Sequence, residues 1–242
     1  MGNIATIYKR ELKTYFTSPI AYIFIIAFLI VMAVYFFAIN GFFQQQNPDL
    51  RAYFAALPLA FALLIPAVTM RLWSEEKKTG TVEVLMTLPL RSWEVVVGKF
   101  LAGYTVVTIT LLLTLVVPIS IRSVVDLDWG VVLSSYIGAL VLAGVYIAVG
   151  AWVSAVTENQ IVALLISMVV LLVLWGASLP QVAAVLNGLV GGLGNVLSWF
   201  GTFSHYQNFV KGLINPVDLV YAFSMMVFFL ILNNFAVEWR KY

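Results

Sequence analysis

Ionisable side chains crowd into one stretch, "WSEEKKTGTVEVLMTLPLRSWEVVVGK", Trp73 to Lys99. It holds Glu75, Glu76, Lys77, Lys78, Glu83, Arg91, Glu94 and Lys99, 8 of the 24 charged residues in a chain of 242. Carboxylates beside ammonium groups can move protons, hold an anion, or dock another protein through a charged rim. The first two uses need companions that are missing. A phosphate cradle of the form G-x-x-x-x-G-K-[ST] does not occur, so the chain binds no nucleotide through such a loop. There is no H-E-x-x-H or G-x-S-x-G, and the absence of cysteine excludes disulfide and thiol chemistry. The single histidine, His205, stands among Trp199, Phe203 and Tyr206 and reads as an interface residue rather than a ligand. Asp126 and Asp128, two apart before an apolar run, read as a helix cap rather than a metal pair. Val82, Leu85, Met86, Leu88 and Leu90 punctuate the charges and set the stretch apart from a solvated linker.

The elements that carry this patch are membrane helices. Hydrophobic residues make up 62 % and charged residues 10 %, against roughly 45–50 % and 25 % in a soluble domain. The chain is therefore an integral membrane protein. Crossing hydrocarbon takes about 20 apolar residues, and gaps between charges and prolines give six spans: 20–39, 52–70, 100–121, 131–156, 161–179 and 219–237. Pro58 and Pro66 fall inside the second, which predicts a kinked or broken helix whose freed carbonyls are met by neighbours. The first run is too long for a signal peptide and lacks a small-x-small cleavage site, so it reads as a retained anchor. Arg71 and Asp218 sit at span edges and nothing charged falls mid-span. Ion-driven carriers usually place acids or histidines there, although backbone carbonyls can also hold Na⁺. Energy for directional work is therefore expected from another subunit.

Six spans put both termini on one side. Ten of the 13 basic residues fall on that side, among them Lys9, Arg10, Lys13, Lys77, Arg240 and Lys241, leaving Arg51, Arg122 and Lys211 opposite. The positive-inside rule places both termini and the charged stretch in the cytoplasm. In residues 1–18, Ile4, Tyr8, Leu12 and Tyr15 fall at helical spacing beside basic residues, as in an interfacial helix; a plain topogenic flank fits equally. Residues 180–216 predict two short helices dipping into the outer leaflet, with Trp199, Phe200, Phe203, Tyr206 and Phe209 at headgroup level. In the fourth span, Ala139, Ala143, Gly144, Ala148, Gly150 and Ala151 permit close helix approach, for internal packing or a subunit interface. Asn233 and Asn234, polar within the sixth, read as helix-packing hydrogen-bonders.

Within the charged stretch, Gly80 breaks the run and Thr81–Leu88 can form a short helix that Pro89 ends. Val82, Leu85 and Met86 share one face. Ser92 fits an N-cap for the third span, with Glu94 in its first turn. Such a helix could transmit force between two membrane helices or rest on headgroups. The pattern leaves both open.

The same residues, Glu75, Glu76, Lys77, Gly80, Thr81, Glu83, Leu85, Leu88, Pro89, Glu94, Gly98 and Lys99, resemble the E-E-[KR]-x-x-G-T-x-E-x-L-x-x-L-P-x-x-x-x-E-[IV]-x-x-G-K segment of ABC-2 type transporter permeases. "YKRELKTYFTSP" resembles that family's N-terminal interface helix, and the last span and compact length look closest to its gliding-motility-type subgroup. The resemblance implies a single ABC-2 type domain over 1–242, all-α, with six transmembrane helices, an interfacial helix, a cytoplasmic coupling helix between spans two and three, and re-entrant outer helices between spans five and six. It implies that segment 74–92 docks a nucleotide-binding ATPase dimer through Glu75, Glu76, Lys77, Lys78, Gly80, Thr81, Val82, Glu83, Leu85, Met86, Leu88 and Pro89. Tyr8, Arg10, Glu11 and Leu12 would touch the same partner. This chain would be non-catalytic and bind no cofactor, with ATP and Mg held by the partner. A second permease chain, identical or related, would complete the pore, and a membrane subunit with a large outer domain is a further candidate partner. The implied place is a bacterial or archaeal cytoplasmic membrane. Three functions are open: an exporter, a mechanical transmitter acting on an outer-side protein, and a gradient-driven carrier or channel.

Overall fold

The computed structural model describes residues 3–42, 49–81, 91–123 and 126–239, and every regular element among them is a helix. Hydrocarbon offers the backbone no hydrogen bonds, so a lipid-facing chain must satisfy itself within helices. α1 is Asn3–Thr17, and α2 is Ile20–Ala33, continued by a π-helical turn, Val34–Ile39. α3 is Arg51–Thr69 and α4 is Arg71–Lys78. Then come α5 (Ser92–Thr114), α6 (Val116–Ile121), α7 (Trp129–Val156) and α8 (Gln160–Gly176). α9 (Pro180–Leu189), α10 (Leu193–Phe200) and α11 (Thr202–Val210) lead to α12 (Pro216–Glu238).

Five helical stretches are long and apolar enough to cross a membrane: Ile20–Ile39, Arg51–Lys78, Ser92–Ile121, Trp129–Val156 and Pro216–Glu238. α8 has 17 residues and turns through 83° into α9, a bent pair that makes a sixth candidate if it counts as one span. α7 is the hub, packing against α3, α4, α5, α8, α11 and α12. Its small residues Ala139, Ala143, Ala148 and Ala151 are all buried inside the chain. At Gly150 a Cβ would stand 2.2 Å from Thr69 Oγ1, so only glycine lets α3 approach this closely. The stripe of small residues serves internal packing.

Several boundaries differ from expectation. The second span is helical straight through Pro58 and Pro66, both buried. Pro58 removes the amide that would serve the Phe54 carbonyl, and the Tyr206 hydroxyl donates there instead at 3.1 Å. The discontinuity comes at Met70, whose carbonyl accepts from Ser154 Oγ of α7 at 2.9 Å. Ser154 Oγ in turn accepts from the Trp73 amide at 3.1 Å. The third span begins at Ser92, eight residues early, because Arg91 rather than Ser92 is the N-cap and Glu94 accepts its amide at 2.9 Å. The fifth helix stops at Gly176, short of Leu179, since Pro180 starts a new one. Residues 180–216 hold three helices rather than two. Asp128 caps α7 as expected, accepting from the Gly130 amide at 2.9 Å. Residues 82–90, with most of the predicted Thr81–Leu88 helix, and Arg240 and Lys241 lie outside the described residues.

The chain leaves α1 at one end of the bundle and α12 returns there, since Phe235 shares a groove with Trp93 of α5. That near end also holds α4. The far end holds α9–α11.

Candidate functional site

At the near end α1 lies along α5. Ile7 and Tyr15 are buried, with Tyr8 and Leu12 half-buried beside them. A Cβ at Gly98 would come within 2.7 Å of Ile7 Cγ2, so the missing side chain seats α1. Asn3 Nδ2 donates to Glu94 Oε2 at 3.1 Å, and the Tyr8 hydroxyl lies 3.1 Å from Thr105 Oγ1.

The packing encloses a ring of four charges. Lys99 is 1 % exposed, with Nζ 3.2 Å from Glu11 Oε1 and 3.0 Å from Glu76 Oε1. Arg10 Nη2 bridges the same two oxygens at 2.6 and 2.9 Å. One acid comes from α1, one from α4, one cation from α1 and one from α5. The ring thus ties three elements together. The Lys99 ammonium also stands 5.1 Å over the Trp73 ring. Burial alone would raise the Glu11 carboxyl, but the charge of Lys99 and the hydrogen bond and charge of Arg10 outweigh it and hold it below its ordinary value. A second pair flanks the ring: Arg71 Nε meets Glu75 Oε2 at 2.9 Å, and Arg71 Nη1 donates to Ser18 Oγ at 2.7 Å. Between them opens a cleft of about 240 Å³, lined by Glu11, Arg71, Glu76, Thr79, Thr81 and Lys99 among others. Glu76 Oε2 has no hydrogen-bond partner.

The predicted docking residues separate into distinct roles. Lys77 turns inward, donating from Nζ to the carbonyls of Ala155 and, at 3.4 Å, Thr157, where its charge complements the C-terminus of α7. Lys78, Thr79, Gly80 and Thr81 are exposed, with Gly80 at φ +72° making the turn. Val82, Glu83, Leu85, Met86, Leu88 and Pro89 lie outside the described residues. Arg10 and Glu11 join the ring, which spacing alone did not foretell. Lys99 was expected at the edge of its span. It lies two turns inside α5, on the buried face of Ser92, Val95, Val96 and Ala102. A helix start read from Arg91 and Glu94 would have put it there.

The far end is polar in a way the sequence did not suggest. His205 is held by two bonds within the chain: Nε2 donates to the Trp199 carbonyl at 3.0 Å, and Nδ1 lies 2.6 Å from Asp218 Oδ1. Its ring stacks on Tyr221 at 3.9 Å, and Asn208 Nδ2 donates to Asp218 Oδ2 at 2.7 Å. Asp218 is buried, so the first turn of α12 is pinned to α11. Tyr206 reaches α3, Thr202 pairs with Tyr146 of α7 at 2.8 Å, and Phe203 lies edge-on to Trp175. Of the named aromatics, Trp199 and Phe200 are exposed.

No group of three or more His, Asp or Glu that could hold a metal ion occurs among the described residues. The near end holds a braced charged cleft that opens beside an exposed turn. The model of the ABC-2 family transporter protein matches residues 5–234. No curated protein matches the chain.

Proposed function

The chain belongs to the ABC-2 family of transporter proteins, and from that premise we propose that it is the permease subunit of an exporter driven by a separate ATPase. Family membership makes it a multi-pass membrane subunit of an ABC transporter. The finer reading is that a nucleotide-binding dimer, carrying ATP and Mg, docks at the near end over Glu75–Pro89. Closure of the dimer would then push α4 and α1, and the ring would pass the push to α5. The observation that carries this is the ring itself, in which one buried ammonium, Lys99, is held by acids from two other elements. A headgroup-resting flank needs no such brace.

The near end would face the cytoplasm with both termini, in a bacterial or archaeal membrane, and a second permease chain would complete the pore. The gliding-type subgroup rests on the last span and the short length. This chain would split no ATP and bind no cofactor itself. The test is ATPase activity of the reconstituted complex. Glu83→Ala with Leu85→Arg should uncouple hydrolysis from the permease while the complex stays assembled; unchanged coupling would contradict the assignment.

A second reading is favoured by the exposed apolar surface of α9 and α10 at the far end, which includes Val185, Leu189, Val196 and Trp199. There the same motion would act on an outer-side protein and no solute would cross. An ATP-dependent solute gradient in reconstituted vesicles would exclude it.

A further inference from the structure

The His205 ring is clamped between two acceptors, the Trp199 carbonyl oxygen at 3.0 Å from Nε2 and Asp218 Oδ1 at 2.6 Å from Nδ1. A carbonyl can only accept, and so can an ionised carboxylate. Two bonds therefore need two hydrogens, one on each side of the ring. A neutral imidazole beside a carboxylate supplies one, so the bonded pair carries one proton more. The surroundings suit both charges. Asp218 stands in the first turn of α12, where a helix favours an anion, and Asn208 Nδ2 donates to its other oxygen at 2.7 Å. The ring meets the carboxyl end of α10, where a cation is favoured, and stacks on Tyr221 at 3.9 Å.

Little else around the ring can titrate. Asp218 and Tyr221 of α12 are in contact with it. α8 and α10 carry no ionisable side chain. α7 brings Tyr136, bonded to Thr114, and Tyr146, bonded to Thr202. α3 brings Arg51, beside Asp49, and Tyr53. On its own element Tyr206 is committed to Phe54, and Lys211 follows the last turn.

We propose that the His205–Asp218 pair is a proton-operated clasp, which fastens the end of α10 to the start of α12 when it holds two protons and lets go when it holds one. Loss of a proton to water leaves imidazole and carboxylate with a single N–H. Turned to Asp218, that N–H leaves a bare nitrogen against the Trp199 carbonyl. Turned to Trp199, it leaves one against the carboxylate. Either way one bond becomes an opposition of lone pairs. Release widens the groove of about 360 Å³ between α10 and α12 that Trp199, Phe200 and Val220 line. The clasp sits at the opposite end from the charged ring and does not depend on the ATPase.

His205 is the only histidine of the chain, so ¹⁵N-histidine labelling of the full chain in nanodiscs gives NMR a single ring to read. Spin labels on Val196→Cys and Val220→Cys, both exposed, report the separation of α10 and α12. Both ring nitrogens should carry hydrogen at about pH 7.5, where a free histidine is mostly neutral. On raising to about pH 9, below the ordinary lysine and tyrosine range, one N–H should be lost and a longer separation should appear with it. Asp218→Asn should show one N–H and the longer separation already at the lower pH. His205→Gln, which cannot titrate, should give a separation that ignores pH. A bare ring nitrogen in the unsubstituted chain at the lower pH would overturn the proposal. So would both N–H groups surviving at the higher pH, or a separation that stays fixed when one is lost.

Discussion

The Tyr206 hydroxyl donates at 3.1 Å to the Phe54 carbonyl, which Pro58 has stripped of its helical partner. A far-end helix thereby repairs a proline defect in the second span, and α3 stays helical where a kink or a break was expected. Tyr206→Phe should leave that carbonyl unmet and cost about 1 kcal/mol, within the usual range for one hydrogen bond in a bundle. In a Pro58→Ala background the new amide serves Phe54, and the same change should become nearly neutral. A double-mutant cycle on unfolding in detergent measures it; an equal cost in both backgrounds would break the link.

Lys99→Met should be among the most damaging single changes at the near end. It leaves Glu11 and Glu76 facing each other with only Arg10 between them, and removing one member of a buried ion cluster costs about 3–5 kcal/mol. Adding Glu76→Gln should recover part of the loss. Thermal unfolding of the four variants in one detergent decides it, and a loss below about 1 kcal/mol, the level of a surface pair, would deny the ring its structural role.

These two cases mark how far the sequence was legible. Apolar run lengths located the long helices, because hydrocarbon thickness leaves little freedom. That a neighbour would meet a carbonyl freed by proline was legible, but which one was not, because the donor lies 152 residues away, which local pattern cannot contain. Lys99 was misplaced by letting charge mark the edge of the span, when the cap at Arg91 marks the start of the helix. His205 was read as an interface residue and Asp218 as a span-edge residue, since a contact made across the turn between two helices leaves no periodic trace. The small-residue stripe of α7 was readable because close packing needs small side chains whichever neighbour supplies the contact.

Gly150→Ala should destabilise the bundle by about 1–3 kcal/mol, the usual cost of overpacking. The added methyl meets Thr69 Oγ1 at 2.2 Å and Thr69 Cβ at 2.8 Å, so the two helices must shift to admit it. Gly176→Ala is the matched control, because its Cβ would meet nothing within 4 Å. Equal melting of the two variants would contradict the α3–α7 contact.

Acid should loosen the near end through Glu11. Its folded carboxyl titrates below the ordinary value of 4.5, held there by Lys99 and Arg10 against burial. The stability it contributes is therefore fully present above the unfolded value and lost as pH falls through the folded one. The unfolding temperature, followed from about pH 6 to about pH 3, should fall at its acid end, and Glu11→Gln should flatten that limb. An unchanged acid limb in the variant would assign the loss to other groups.

The most direct measurement uses the chain's lack of cysteine. Thr81→Cys places one thiol on the exposed turn beside Gly80. In the assembled complex it should cross-link to the ATPase subunit, and in intact cells a membrane-impermeant maleimide should fail to reach it. Labelling of that thiol from outside the cell, or a complex that splits ATP with the turn never touching the ATPase, would contradict the account.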